Sequence, residues 1–411
     1  MTALIAWLDA SSEDQRRMRE IVNLFSERES RDELGIGQVR DALSDALWPG
    51  TSTLFTRARY FVFIPWCFRA AAEARNDVDK AAALADRNER LLIGALKAAG
   101  ESDGVVGGTV GMAVRNLPST LYWGGMRTHG VLNDPALSRE DAVAAEVDRV
   151  HTRRPAVVQY EDEQTSAWHD GAFHPTLPTV PQGFPSDVPG GFKMTSAEAT
   201  WLRDRMLASS PDTMLEYALL HRPDEDSDVP WTDTVLCMAP GERRRVLDDA
   251  RRFSTLMNSA SLVYNLLIAE AYESEEFDRV ENPVEGYRER LNLWAASPNL
   301  GRDIETWDRG EFWRRVLERN PNVSIRSRRF IDEWLNLLSN ADLTSLAVDG
   351  EARAFITRRE REHKRTQARL TNKRLLQAWL GASGSRPLVY RWTQMRPIIH
   401  DIHDGLERTD A

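Results

Sequence analysis

The chain has 411 residues, 42% of them hydrophobic and 28% charged, with a formal net charge of −10. That balance excludes a disordered chain and a surface that attracts nucleic acid as a whole, while leaving room for a local basic face. Its two cysteines, Cys67 and Cys237, are too few for a disulfide framework or a four-cysteine zinc site, and they fit a reducing cytoplasm.

The first predicted helix opens at Ser12 with Gln15, a capping box ahead of Met18, Ile21, Val22 and Phe25. The preceding "LIAWLD" reads as a short extended piece, and nothing there has the form of a leader peptide. Ile36, Val39, Leu43 and Leu47 repeat the one-face spacing until Pro49-Gly50 stops it. Next comes "TSTLFTRARYFVFIPWCFRAAAEA". Its apolar run from Tyr60 to Phe68 is interrupted by Pro65 and flanked by arginines, far short of the ~20 apolar residues a spanning helix needs. It reads as one buried helix, capped at Ser52, kinked at Pro65 and apolar all round.

A helix follows over Ala81–Ala99, then "GVVGGTVG" from Gly104 to Gly111. That run lacks the Gly-Lys-Ser/Thr ending of a P-loop and reads as a turn. "LPSTLYWGGMRTHGV" has Asn116 ahead of it in a capping position, Pro118 in the first turn and Gly130-Val131 as a glycine stop. A short helix behind another short helix is the outline of a helix-turn-helix near 105–131, with Arg127 and His129 able to reach DNA. The competing reading is packing alone. Ser138 with Asp141 opens a further helix towards Val150.

From His151 to about residue 194 proline and glycine recur, so no regular element runs through. Trp168, His169, Phe173, His174 and Phe184 make it an ordered connector rather than a floppy one. Thr195 with Glu198 restarts helix. Val246, Ala250, Phe253, Met257, Ala260, Tyr264 and Leu267 then keep a 4, 3, 4, 3, 4, 3 spacing, a heptad seam on a helix of about Pro240–Tyr272. Further helices are predicted near 284–296, 308–319, 325–340, 351–380 and 394–407, with an extended piece at "RPLVYRW".

The most basic stretch, Glu351–Arg374, holds nine Lys/Arg against three acids. As one helix it places Arg358, Arg361, Arg365 and Arg369 on a single stripe. Such a stripe is a solvated face, a surface for phosphates or a surface for an acidic partner. In "HDIHD" the two histidines His400 and His403 stand beside Arg396 and Glu407 on a polar flank, without a third ligand, so no metal and no cofactor are expected.

"PGTSTLFTRARYFVFIPW", "LPSTLYWGGMRTHGV", "HPTLPTVPQGFP", "RRFSTLMNSASLVYNLLIAE" and "YRWTQMRPIIHDIHDGL" together resemble the bacterial family catalogued as domain of unknown function 6361, over nearly the whole chain. The resemblance implies no activity, cofactor or catalytic residue. It implies an association with mobile or anti-phage gene neighbourhoods. The expected fold is mainly α: a helical domain over 1–150, a Pro/Gly-rich connector over 151–194, and a helical domain over 195–411 built round the long helix. The expected function is that of a cytoplasmic, non-enzymatic DNA-associated or complex-forming component of a defence-type system, with no membrane segment. Its contacts would run through Arg127, Arg358, Arg361, Arg365 and Arg369 to nucleic acid or to protein subunits. The alternatives are an enzyme with its site at the connector (His169, Asp170, His174) and a purely protein-binding scaffold.

Overall fold

The computed structural model describes residues 32–153 and 171–408. The Ser12 capping box, the Met18–Phe25 pattern, "LIAWLD", Trp168, His169 and Asp170 lie outside the described residues. Among those described the fold is mainly α, with α1 Gly37–Leu47, α2 Tyr60–Ala74, α3 Val78–Ala98, α4 Pro118–Thr128, α5 Arg139–Arg153, α6 Ser196–Ser209, α7 Met214–Leu220 and α8 Gly241–Ser274. There follow α9 Pro283–Ala295, α10 Leu300–Thr306, α11 Arg309–Arg319, α12 Ile325–Asn340, α13 Gly350–Lys364, α14 Lys373–Gln377 and α15 Trp392–Leu406. None of the helices among the described residues is long and apolar enough to cross a membrane.

Two compact units emerge, and neither is continuous in sequence. Among the described residues the first comprises 32–42 and 249–388, the second 43–153, 171–248 and 389–408. This division differs from the sequential one of 1–150, 151–194 and 195–411. Residues 171–194 fall within the second unit, and the chain passes between units inside α1 and α8.

The second unit is organised by α2. Tyr60, Phe61, Val62, Phe63, Ile64, Trp66, Cys67 and Phe68 are all buried. An α-helix apolar on every side needs partners on every side. Here α3, α4 and α5 supply three of them. The proline-rich segment supplies the fourth: Phe184 stacks on Phe63 at 6.0 Å, Phe192 packs on Tyr60 at 5.4 Å, and Trp66 Nε1 donates to the Pro178 carbonyl at 2.7 Å. The helix starts later than the sequence suggested. Ser52 sits in a turn, its hydroxyl accepting from Leu54 N at 3.2 Å, and the position before Tyr60 is Arg59. Arg59 is held at both ends of its guanidinium by Glu198 and donates to the Pro189 and Gly191 carbonyls, which ties the segment to both α2 and α6. The reciprocal bonds of the Thr195–Glu198 capping box are both present at the start of α6.

In the first unit, α8 from Asp249 onward is the central element. Phe253, Met257, Ala260 and Tyr264 of the heptad seam are buried with Leu256, Leu262, Val263, Leu266 and Ile268. Val246 and Leu267 are only half-buried, a departure from the seam reading. A 3.6-residue helix drifts by about 20° per heptad against a strict 3.5 repeat, so the ends of a long seam rotate off the core. The "RPLVYRW" segment forms no strand. Tyr390 and Arg391 take left-handed backbone angles of φ 49° and 64° and turn the chain into α15.

Candidate nucleic-acid interface

α12 and α13 form an antiparallel hairpin in the first unit. Each opens on a cap that the local sequence supplies: Ser324 accepts from Ser327 N, and Asp349 accepts from Ala352 N. Phe330 stacks on Phe355 at 5.5 Å and Trp334 lies 6.0 Å from the same ring, while Arg359 reaches back to the Arg326 carbonyl at 3.5 Å. The start of α12 is therefore level with the end of α13. α12 buries Phe330, Ile331, Trp334, Leu335 and Leu338; α13 buries Ala352, Ile356, Arg359 and Glu360. At 100° per residue, and with the two helices running in opposite directions, Arg326 and Arg329 on α12 fall on the same solvent side as Arg358 and Arg361 on α13.

All four are exposed, as is Arg365 just beyond α13. Among the described residues none of the five has an ion-pair partner. Many arginines elsewhere do: Arg353 is held by Glu270, Arg369 by Glu33, and Arg315 by Asp249. Arg358 lays its guanidinium over Phe355 at 5.3 Å, which steadies the side chain without neutralising it. Glu362 is an exposed acid within this patch. "SIRSRRF" carried a readable signal for the α12 contribution, two arginines at i, i+3, but it stood outside the stretch with the densest charge.

The predicted four-arginine stripe does not form as drawn. α13 ends at Lys364, and Arg365 takes φ 52°. The cause is a buried polar cluster. Glu360 is fully buried and its carboxylate accepts from Tyr264 Oη at 2.9 Å, Arg369 N at 2.7 Å and Leu370 N at 3.3 Å. Burial pushes the Glu360 carboxyl and the Tyr264 phenol upward. A Glu33 oxygen lies 3.1 Å from the same Tyr264 Oη and shares its one proton with Glu360, and the Glu33 ion pairs with Arg369 at 2.7 Å and Lys364 at 3.0 Å complete the set. Arg369 thus turns inward to a buried carboxylate. A buried charge needs a partner more than a surface stripe needs a fourth member.

The other predicted positions lie in the second unit. Arg127 is exposed in the last turn of α4. His129 is 1% exposed, with Nδ1 2.8 Å from Ser209 Oγ, and burial lowers its pKa to about 4. It cannot reach a ligand outside the protein. The element before α4 is a single 3₁₀ turn, Gly111–Ala113, and not a helix. α4 buries Tyr122 and Trp123, and Gly130 ends it at φ 62° with Val131 N donating to the Met126 carbonyl at 2.9 Å. The glycine stop is as expected, while the helix-turn-helix outline lacks its first helix.

His174, from the enzyme alternative, is half-buried. Its Nε2 accepts from Arg205 at 2.8 Å and Nδ1 meets Thr176 Oγ1 at 2.9 Å; burial and Arg205 lower its pKa. His400 and His403 bond the Asp224 and Ala218 carbonyls. Among the described residues no group of three or more His, Cys, Asp or Glu could hold a metal ion.

The chain belongs to a family of unknown function, DUF6361, whose model matches residues 2–405. Comparison with curated proteins and with solved structures returns no match.

Proposed function

We propose that this family member is a non-enzymatic, nucleic-acid-associated protein that contacts phosphates through the arginine end of the α12–α13 hairpin. The observation that carries the reading is the grouping of Arg326, Arg329, Arg358, Arg361 and Arg365, exposed and without ion-pair partners among the described residues, in a chain of net charge −10. Acidic side chains outnumber basic ones overall, yet these five form no ion pair among the described residues. Guanidinium forks suit phosphate oxygens and are weakly hydrated, so the surface is ready for such a ligand. A cytoplasmic role within a larger defence-type assembly is the setting we propose, in line with the family resemblance.

The test is a salt titration of binding to a labelled duplex. Each neutralised phosphate contributes about −0.9 to the slope of log affinity against log salt. Arg361→Gln with Arg365→Gln should weaken binding to unrelated sequences alike and flatten the slope by about 2, with thermal stability nearly unchanged. Absence of binding at about 50 mM salt, or indifference to the double substitution, removes the proposal.

A further inference from the structure

We infer that the nucleic acid held at this surface is a duplex, gripped through both of its backbones; this rests on the reading just given. Two observations separate a duplex from a single strand. The first concerns stacking. Surfaces for single strands offer aromatic side chains on which successive bases stack. At this end of the hairpin the phenylalanine and tryptophan rings are spent inward, and the exposed His363 imidazole is tied to the Asp32 carbonyl at 2.8 Å. Phe330 and Trp334 are buried at 3% and 0% exposure. The half-buried Phe355 stacks with both rings and carries the Arg358 guanidinium 5.3 Å from its centroid. The large apolar side chain that is exposed here, Ile325 at 74%, has no π-face to offer.

The second observation is the arrangement of charge in two rows. Arg326 and Arg329 stand on one helix, Arg358 and Arg361 on its antiparallel neighbour. Packed helices run about 8–10 Å apart, so two lines of guanidinium face the same side at roughly that separation, before the reach of the side chains is added. A single strand presents one line of phosphates. A duplex presents two, flanking a groove about 6 Å wide in the minor-groove case. Two rows of donors are needed only for the latter. Contacts of this kind position a protein on the backbone and carry little sequence information.

The experiment uses the full chain, with fluorescence anisotropy on a 20-base-pair duplex, a 20-nucleotide oligothymidylate and a polyglutamate peptide, at about 50 mM salt and upward. The duplex should bind at least about tenfold more tightly than the oligothymidylate. Removing either row, by Arg326→Gln with Arg329→Gln or by Arg358→Gln with Arg361→Gln, should flatten the duplex slope by about 2. Equal or tighter binding of the oligothymidylate overturns the duplex inference and leaves the phosphate reading standing. So does a duplex slope that is unmoved by loss of the α12 row while the α13 row matters. Binding to polyglutamate alone, or to none of the three, overturns both. All four arginines are exposed, so the variants are expected to fold, and circular-dichroism melting checks that they do.

Discussion

Phe61 has no exposed surface and sits between Phe55 at 5.5 Å, Tyr122 at 5.2 Å and His129 at 5.9 Å. Phe61→Ala should lower stability by about 3–5 kcal/mol, the usual range for a fully buried ring, read from urea unfolding. A loss under about 1 kcal/mol would mean that the site collapses around the missing ring. Two buried ionisable groups of the same unit act in opposite directions with pH. His129 is held neutral by burial down to about pH 4, against 6.5 when free. The unfolded chain therefore takes up a proton first, and stability drops as pH falls from 6.5 towards 4. Glu89 is raised by burial from 4.5 to about 7, its carboxylate accepting from Ser119 N and Oγ, each at 2.7 Å. Its contribution is present below pH 4.5 and is lost as pH rises to 7. Each is worth about 3 kcal/mol at full extent, so between pH 4.5 and 6.5 they offset one another. His129→Gln should leave a stability that falls as pH rises, and Glu89→Gln one that falls as pH drops. Melting midpoints at four pH values decide it; flat profiles in both variants would refute the assignment.

At the level of single elements, the contest is between local propensity and neighbours. Gly405 lies inside α15, where alanine would be the better helix former by about 1 kcal/mol. A Cβ there would stand 2.6 Å from Ala199 Cβ of α6 and 3.1 Å from Met194 Cβ. Neither neighbour is the free end of a flexible chain, and overpacking of this sort costs about 1–3 kcal/mol. Packing should win: Gly405→Ala is expected to destabilise, and adding Ala199→Gly to restore part of the loss. A gain in melting temperature for Gly405→Ala alone would show that the helices part easily. The end of α13 is a similar contest. Periodicity carries a helix onward past Lys364, whereas Glu360 draws the amides of Arg369 and Leu370 back towards the buried Tyr264. Glu360→Ala leaves two amides without their acceptor and the Tyr264 hydroxyl with Glu33 alone, at about 1–3 kcal/mol for each amide that stays buried. Faster hydrogen exchange at Arg369 and Leu370 should accompany the lowered stability. Unchanged exchange would place the cause of the turn elsewhere.

For the whole molecule, an acidic total with one basic end implies binding confined to low salt. A five-phosphate contact should lose roughly 10²–10³ in affinity between 50 and 200 mM salt. Persistence of tight duplex binding at 200 mM would mean contacts beyond these arginines. The amino-acid sequence by itself determined the class of fold, because capping boxes, glycine stops and the helical spacing of α1 and α8 are local signals. It also determined that α2 is core, since a helix apolar on every side has nowhere else to go. Membership of the two units was decided only in three dimensions: residues 32–42 join 249–388, and 389–408 join 43–153 and 171–248, through contacts between positions hundreds of residues apart. The arginine end was half legible. Arg358, Arg361 and Arg365 stood out as charge density, but Arg326 and Arg329 joined them only through the hairpin, and Arg369 left them for Glu33. Which charges face water and which face a buried carboxylate depends on what lies across from each side chain. Helical spacing carries the direction in which a residue points; the identity of its neighbour is a property of the packed chain.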